Sequence, residues 1–309
     1  MAILLLCVAV TVRAAGDERV NISVLLSGDS RLYYEAVSGL ENALEEQVSV
    51  HYQLRTFDDI NSQPANEMYR GADFIIAVGS KAARLVMQNP TDTPVLSILV
   101  PRQSYNSIVR SNSDSNAGKH SVLYLEQPAS RLLSLAKIVA GVQRPAVGMV
   151  FGPTSKQQRD EYLNESEKLS VDLSYIEEEN DKRSLDAIKS LVENTGVYLA
   201  LYDRKVMNRK TAKWLLYIAG IKRKPVVGYS QSYVDAGALA AIYTSPYESG
   251  ENAVDWVIEN LANGGNAVWN RHPDLFTVSI NRKTARKLNM SLDSPNKISE
   301  QIREREGRL

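Results

Sequence analysis

The sequence predicts an α/β fold made of two successive doubly wound units. Short apolar runs alternate with longer amphipathic segments, the alternation occurs twice, and a polar stretch separates the two series. With 309 residues, 44% of them hydrophobic, the chain has apolar material for two cores of ordinary domain size.

The first series opens with the strand "ISVLLSG" (22–28), followed by the helical "YYEAVSGLENALEEQ" (33–47), whose Ala36, Val37, Leu40 and Leu44 share one face. "VSVHYQLRTF" is a second strand. "ADFIIAVGS" is a third, running into the helical "KAARLVMQ", and "TPVLSILVP" is a fourth. The second series reads "RPAVGMVFG", "VDLSYIEE", "GVYLALYD" and "KPVVGYS" as strands, with helices around 157–169, 185–193 and 211–221. Between the series lies "RQSYNSIVRSNSDSNAGKHS" (102–121), rich in Ser and Asn and expected to be a long polar loop or crossing. The closing "QIREREGRL" is highly charged and reads as a solvated or frayed helix end.

Residues 2–12 form an apolar stretch too short to span a bilayer, followed by the small residues Ala14, Ala15 and Gly16. This predicts a signal peptide over residues 1–15, the alternative being a first buried strand. The one cysteine, Cys7, lies behind Leu5 and Leu6 rather than the small residues that lipid attachment needs. Cleavage would leave a cysteine-free chain, able to fold in an oxidising compartment without mispairing. Lys plus Arg and Asp plus Glu balance at 36 each, so bulk charge does not point to nucleic acid or an anionic membrane. The expected partner is a small molecule or another protein.

Catalytic signatures are poor. "GYSQS" lacks the last glycine of a nucleophile elbow, which makes Ser230 a weak nucleophile, and neither a phosphate loop nor a dinucleotide GxGxxG is present. His51, His120 and His272 are not at metal-ligand spacing, so no metal and no cofactor is expected. The strand ends are better equipped. Ligands of open α/β sheets sit beyond the carboxyl ends of the strands, where this chain places Ser27, Gly79 and Ser80 in the first series. Ser155, Asp203, Tyr229 and Ser230 hold the same place in the second. Capping of the next helix accounts for any one of these alone, but both units are equipped alike. Tyr is abundant, 15 against 4 Phe and 3 Trp, and Tyr124, Tyr229 and Tyr243 follow strands. A flat apolar face with a polar tip suits a cleft that clamps a small ligand.

Residues 197–264 resemble the substrate-binding proteins of ABC transporters, in particular the tryptophan/tyrosine-type group. The match is carried by Asp203 after a strand, by Val234, Gly237, Ala238 and Leu239, and by Gly250 opening a helix. "FTVSINRKTARKLNMSL" (276–292) and "ADFIIAVGSKAA" (72–83) are similar to the end and the N-terminal lobe of that family. The chain departs from it in carrying "RSNSDSNAGKHSVLYLEQPAS" where relatives have a Pro-Gly-Gly-Asn-like element before a Thr-Gly step.

The resemblance implies a type I periplasmic binding fold of two Rossmann-like lobes joined by a three-crossing hinge, with crossings near 121–127, 241–246 and 274–278. One lobe would own residues 17–123 and 244–275, the other 124–243 and 276–309. It further implies a periplasmic, non-enzymatic protein that captures a small polar or aromatic molecule between the lobes and delivers it to an ABC-type membrane transporter. A periplasmic sensor or receptor partner on the same fold is the alternative. Ser27, Gly79 and Ser80 would hold an anionic or polar end of the ligand, and Asp203 would pair with an amine or hydroxyl. Tyr229, Ser230 and Tyr243 would line the opposite wall, with Tyr124 and Ser155 completing the set.

Overall fold

The computed structural model describes residues 19–57, 67, 69–112, 120–141, 145–179 and 181–307. Residues 1–15 and Cys7, assigned above to a signal peptide, lie outside the described residues. Among the described residues the strands form two six-stranded sheets.

The first sheet contains β1 (Val20–Leu26), β2 (Val50–Thr56), β3 (Phe74–Val78), β4 (Val95–Val100), β5 (His120–Tyr124) and the late β11 (Asn270–Arg271). They run in the order β2-β1-β3-β4-β5-β11, every pair parallel. Strands buried on both faces read as continuous apolar runs rather than alternating ones, as "FIIAV" does in β3. The pleat still divides them: Ile22, Val24, Leu26, Ile76 and Val78 face a core with Leu40, Leu44 and Trp256, while Leu25, Ile75 and Ala77 face one with Val86, Tyr105 and Ile108. The covering helices are α1 (Arg31–Glu45), α2 (Ser80–Gln88), α3 (Arg102–Ser111) and the late α9 (Pro246–Ala262).

The second sheet contains β6 (Val147–Phe151), β7 (Leu173–Glu177), β8 (Val197–Leu199), β9 (Val226–Gly228), β10 (Ala240–Tyr243) and β12 (Thr277–Ile280). The order is β7-β6-β8-β9-β10-β12, with only β12 antiparallel among these pairs. Its helices are α4 (Ala129–Ala140), α5 (Arg159–Lys168), α6 (Asp181–Asn194), α7 (Arg209–Lys222), the short α8 (Gln231–Ala236) and α10 (Arg282–Lys287), with α11 (Pro295–Glu306) at the end.

The chain passes from sheet to sheet at residues 125–128, 244–245 and 272–276. Hydrogen bonds tie the three passages together. Gln127 donates from Nε2 to Thr244 Oγ1 at 2.6 Å, and Thr244 donates to the Leu275 carbonyl at 2.7 Å. The buried Arg131 of α4 donates to Gln127 Oε1 at 3.0 Å and to the Pro273 carbonyl, and reaches Glu306 of α11 at 2.6 Å. Its guanidinium lies 4.5 Å over the Phe276 ring. A buried charge with a partner and further acceptors is the condition under which such a group is tolerated.

Four expectations change. Residues 102–111 form α3 rather than loop, because Tyr105 and Ile108, three apart, bury on one side of the first sheet. Residues 120–124 are a fully buried strand, so the crossing begins only after Tyr124. The charged C-terminal segment is α11, docked through the fully buried Ile298 and Ile302. Gly250 does not open its helix either. That role belongs to Ser245, whose hydroxyl accepts from the Glu248 amide at 3.1 Å while Glu248 accepts from the Ser245 amide at 2.7 Å, with Pro246 at the first helical position. Gly250 instead lets α9 touch α1: a Cβ there would sit 1.9 Å from the Ala36 carbonyl oxygen, as one on Gly39 would sit 2.0 Å from that of Tyr247.

Candidate functional site: a cleft between the lobes

A cavity of about 420 Å³ opens between the two sheets at the carboxyl ends of their strands. Residues from both lobes line it: Leu32, Tyr33 and Leu99 from the first, Tyr162, Leu201, Tyr202, Tyr229 and Ser230 from the second. Two of the crossings line it through Leu125, Glu126, Gln127 and Thr244, and Tyr243 at the end of β10 lies beside them. An apolar, aromatic lining with few polar groups is the usual make-up of a small-molecule site of this size.

Each wall has a local cause. Leu99 lies in the left-handed region, with φ of 53°, where the pairing of β4 with β5 slips between Ser97 and Val100. Such an irregularity re-aims a side chain, and a branched residue held at positive φ stores strain that the surrounding sheet sustains. On the opposite wall Tyr202 and Tyr229 meet edge to face at 5.6 Å, and Tyr229 lies 4.9 Å from the buried Tyr233. Tyr243 donates to Gln231 Oε1 at 2.7 Å, and its oxygen lies 3.1 Å from Ser279 Oγ, which fixes the ring at the end of β10.

The two lobes meet beside the cavity in an ion pair: Arg102 of α3 donates from Nη1 to Glu161 Oε2 of α5 at 2.5 Å. Both side chains are about one-third exposed. Glu126, between them and the cavity, accepts from the Arg102 amide at 2.9 Å. Burial pushes its carboxyl up to about 7, against the opposing pull of the amide donors and the Arg102 charge. Its carbonyl oxygen lies 2.6 Å from His272 Nδ1 on the third crossing. Burial holds the His272 imidazole below its ordinary value.

Of the residues expected from sequence, Tyr229, Ser230 and Tyr243 are brought together on this cavity. The others stand elsewhere. Ser27 is buried, and its Oγ accepts from the Lys81 and Ala82 amides at 3.0 and 2.9 Å, so two amides of the first turn of α2 are satisfied within the protein. Gly79, at φ of 88°, allows this contact, since a Cβ would lie 2.6 Å from Ser27 Oγ; Ser80 begins the helix it caps. These three residues, expected to hold an anionic end of the ligand, stand at the start of α2 and not on the cavity lining.

Asp203 is buried too. Oδ2 accepts from the Thr154 amide and the Ser155 hydroxyl at 2.9 Å and from the Ser155 amide at 2.8 Å, and Oδ1 from the Lys205 and Val206 amides at 2.9 and 3.3 Å. Burial alone would raise this carboxyl, but the donors from Thr154, Ser155 and Lys205 outweigh it and the net shift is downward. Asp203 and Ser155 therefore clamp the loops after β6 and β8 to one another instead of presenting themselves to a ligand. Tyr124 sits behind the cavity: its hydroxyl lies 3.3 Å from Asn270 Oδ1 and its ring 5.2 Å from His272.

Sequence reasoning missed Leu99, Glu126 and Gln127. A single acid in "YLEQPAS" has no periodicity to single it out, and positive φ at a leucine leaves no sequence signature. Among the described residues no group of acidic, His or Cys side chains could hold a metal ion, and no helix is long and apolar enough to cross a membrane.

A family described as ABC transporter substrate binding protein matches residues 19–301. No curated protein matches the chain. Among solved structures, the ligand-free, open form of a substrate binding protein with adhesive properties from Clostridium difficile is similar over 89% of this chain and 96% of its own, with 17% identity and a TM-score of 0.67. An ABC domain in complex with L-Trp from Streptococcus pneumonia is similar over 89% of this chain and 96% of its own, with 14% identity and a TM-score of 0.56. A periplasmic ribose ABC transporter protein from Conexibacter woesei covers 88% and 95%, with 12% identity and a TM-score of 0.54. At such identities these likenesses speak for the fold, which is the two-lobed α/β fold of periplasmic binding proteins. The match along nearly the whole chain decides the family: this protein belongs to the ABC transporter substrate binding proteins and has a solute-binding role.

Proposed function

We propose that the chain captures a small apolar or aromatic molecule between its lobes and delivers it to an ABC-type membrane transporter, working outside the cytoplasm after loss of residues 1–15. The observation that carries this reading is the cavity of about 420 Å³ to which both lobes and two of the crossings contribute. A ligand there touches both halves at once, so its binding energy favours the closed arrangement over the open one, which is how a hinged clamp couples occupancy to shape. The tyrosines give flat, amphipathic walls, and Tyr229, Ser230 and Tyr243 are the contacts assigned to the ligand.

A thermal-shift screen against a broad metabolite panel tests the capture step. At least one compound should raise the melting temperature, because a ligand bound only by the native state stabilises it, and Tyr229→Ala should abolish the shift. A panel without any shift, or a shift that survives in Tyr229→Ala, would sink the cleft assignment. Pull-down from membranes tests delivery: recovery of a permease supports it, and recovery of a receptor or kinase instead supports sensing.

A further inference from the structure

Resting on the cleft reading above, we propose that the solute is a monocationic amine with an apolar or aromatic body, held at its charged end by Glu126. Among the described residues lining the cavity, Glu126 is the one carboxyl, and no Lys, Arg or His lines it with Glu126. The lining is otherwise Leu, Tyr, Pro246 and neutral polar side chains.

The neutral donors are in part already committed. Gln127 gives its amide to Thr244 at 2.6 Å, Gln231 gives its amide to Asp235 at 2.7 Å, and Tyr243 gives its hydroxyl to Gln231 at 2.7 Å. A ligand carboxylate would enter a low-dielectric cavity, lined by Tyr33, Tyr202 and Tyr229, without a cationic partner among these residues. A cation meets the reverse: tyrosine rings attract it, and Glu126 supplies a carboxyl that can ionise against it.

The surroundings of Glu126 leave room for that partner. On α3, Arg102 offers it the backbone amide, while the Arg102 guanidinium is turned to Glu161 of α5 at 2.5 Å and lies 5.6 Å over the Tyr124 ring of β5. From the third crossing His272 faces the Glu126 carbonyl, not its carboxyl. Arg204 and Tyr202, after β8, share with Glu126 a side recess of about 40 Å³, and Tyr162 of α5 lines the main cavity. Without a ligand the half-buried carboxyl keeps its proton up to about neutral pH; an ammonium group placed against it would replace that proton.

Titration calorimetry with phenethylamine, phenethyl alcohol, phenylacetate and phenylalanine tests the inference at about pH 8 and about pH 5.5. Phenethylamine should bind at least about tenfold more tightly than the other three at the higher pH, and should weaken roughly 10- to 30-fold at the lower one as Glu126 takes up its proton. Glu126→Gln keeps an acceptor for the Arg102 amide. It should remove the preference for the amine over phenethyl alcohol and the pH dependence of amine binding. Equal or tighter binding of phenylacetate or phenylalanine, amine affinity that survives in Glu126→Gln, or no binding of phenethylamine would each overturn the amine assignment. None of those outcomes touches the cleft reading, which falls only if the metabolite panel gives no shift or Tyr229→Ala keeps one.

Discussion

Glu126 and Asp203 are both acids near strand ends, and the fold treats them in opposite ways. Asp203 receives hydrogen bonds from two loops and is held ionised; Glu126 is half-buried beside an aromatic cavity with amide donors only, and its carboxyl rises to about 7 from an ordinary 4.5. A raised carboxyl favours the protonated native state, so its stabilising contribution is full below about pH 4.5 and is lost as the pH climbs through about 7. Glu126→Gln removes that loss. Melting curves of the two proteins should diverge across this window, with the variant gaining a few degrees relative to the wild type at the alkaline end. Parallel curves from acid to neutral pH would show that the Glu126 carboxyl is not raised as described. Sequence made Tyr229, Ser230 and Tyr243 visible, because each follows an apolar run that could only be a strand. It made Asp203 equally visible and hid its job, since the loop it clamps, at Thr154 and Ser155, lies far away in the chain.

At the level of elements, the legible parts were those with one dominant signal. The strand β3 is an unbroken apolar run and β1, β4 and β6 are predominantly apolar ones, and α1 and α2 follow with regular spacing. The helices α3 and α11 were obscured because their compositions are polar and only two positions each, Tyr105 with Ile108 and Ile298 with Ile302, are buried. The contact of α1 with α9 shows a different limit: two glycines at Gly39 and Gly250, remote in sequence, matter only because the helices cross there with backbone against backbone. Gly250→Ala would put a methyl group 1.9 Å from the Ala36 carbonyl oxygen, forcing the helices apart at a cost of about 3 kcal/mol. Gly220→Ala, in α7 with nothing within 4 Å, should be neutral or stabilising by up to about 1 kcal/mol. Urea midpoints of the two variants check this contrast, and equal midpoints would contradict the packing.

At the level of the whole molecule, the Arg102–Glu161 pair and the hydrogen-bonded crossings together set how freely the lobes move. The pair is partly exposed, and such contacts contribute about 1 kcal/mol or less. Glu161→Ala should therefore widen the ligand-free particle slightly, seen as a larger radius of gyration by small-angle scattering, and weaken ligand binding by about threefold. Unchanged scattering and affinity would mean that the crossings alone govern opening. Those crossings also divide each lobe along the chain: β11 and α9 of the first sheet are made after β6 to β10 of the second. Neither lobe can then be released as a continuous piece by cutting the chain at a crossing. During synthesis the first lobe stays unfinished, with the face of α1 that receives α9 uncovered, until residues 246–271 have been made, after β6 to β10 of the second lobe.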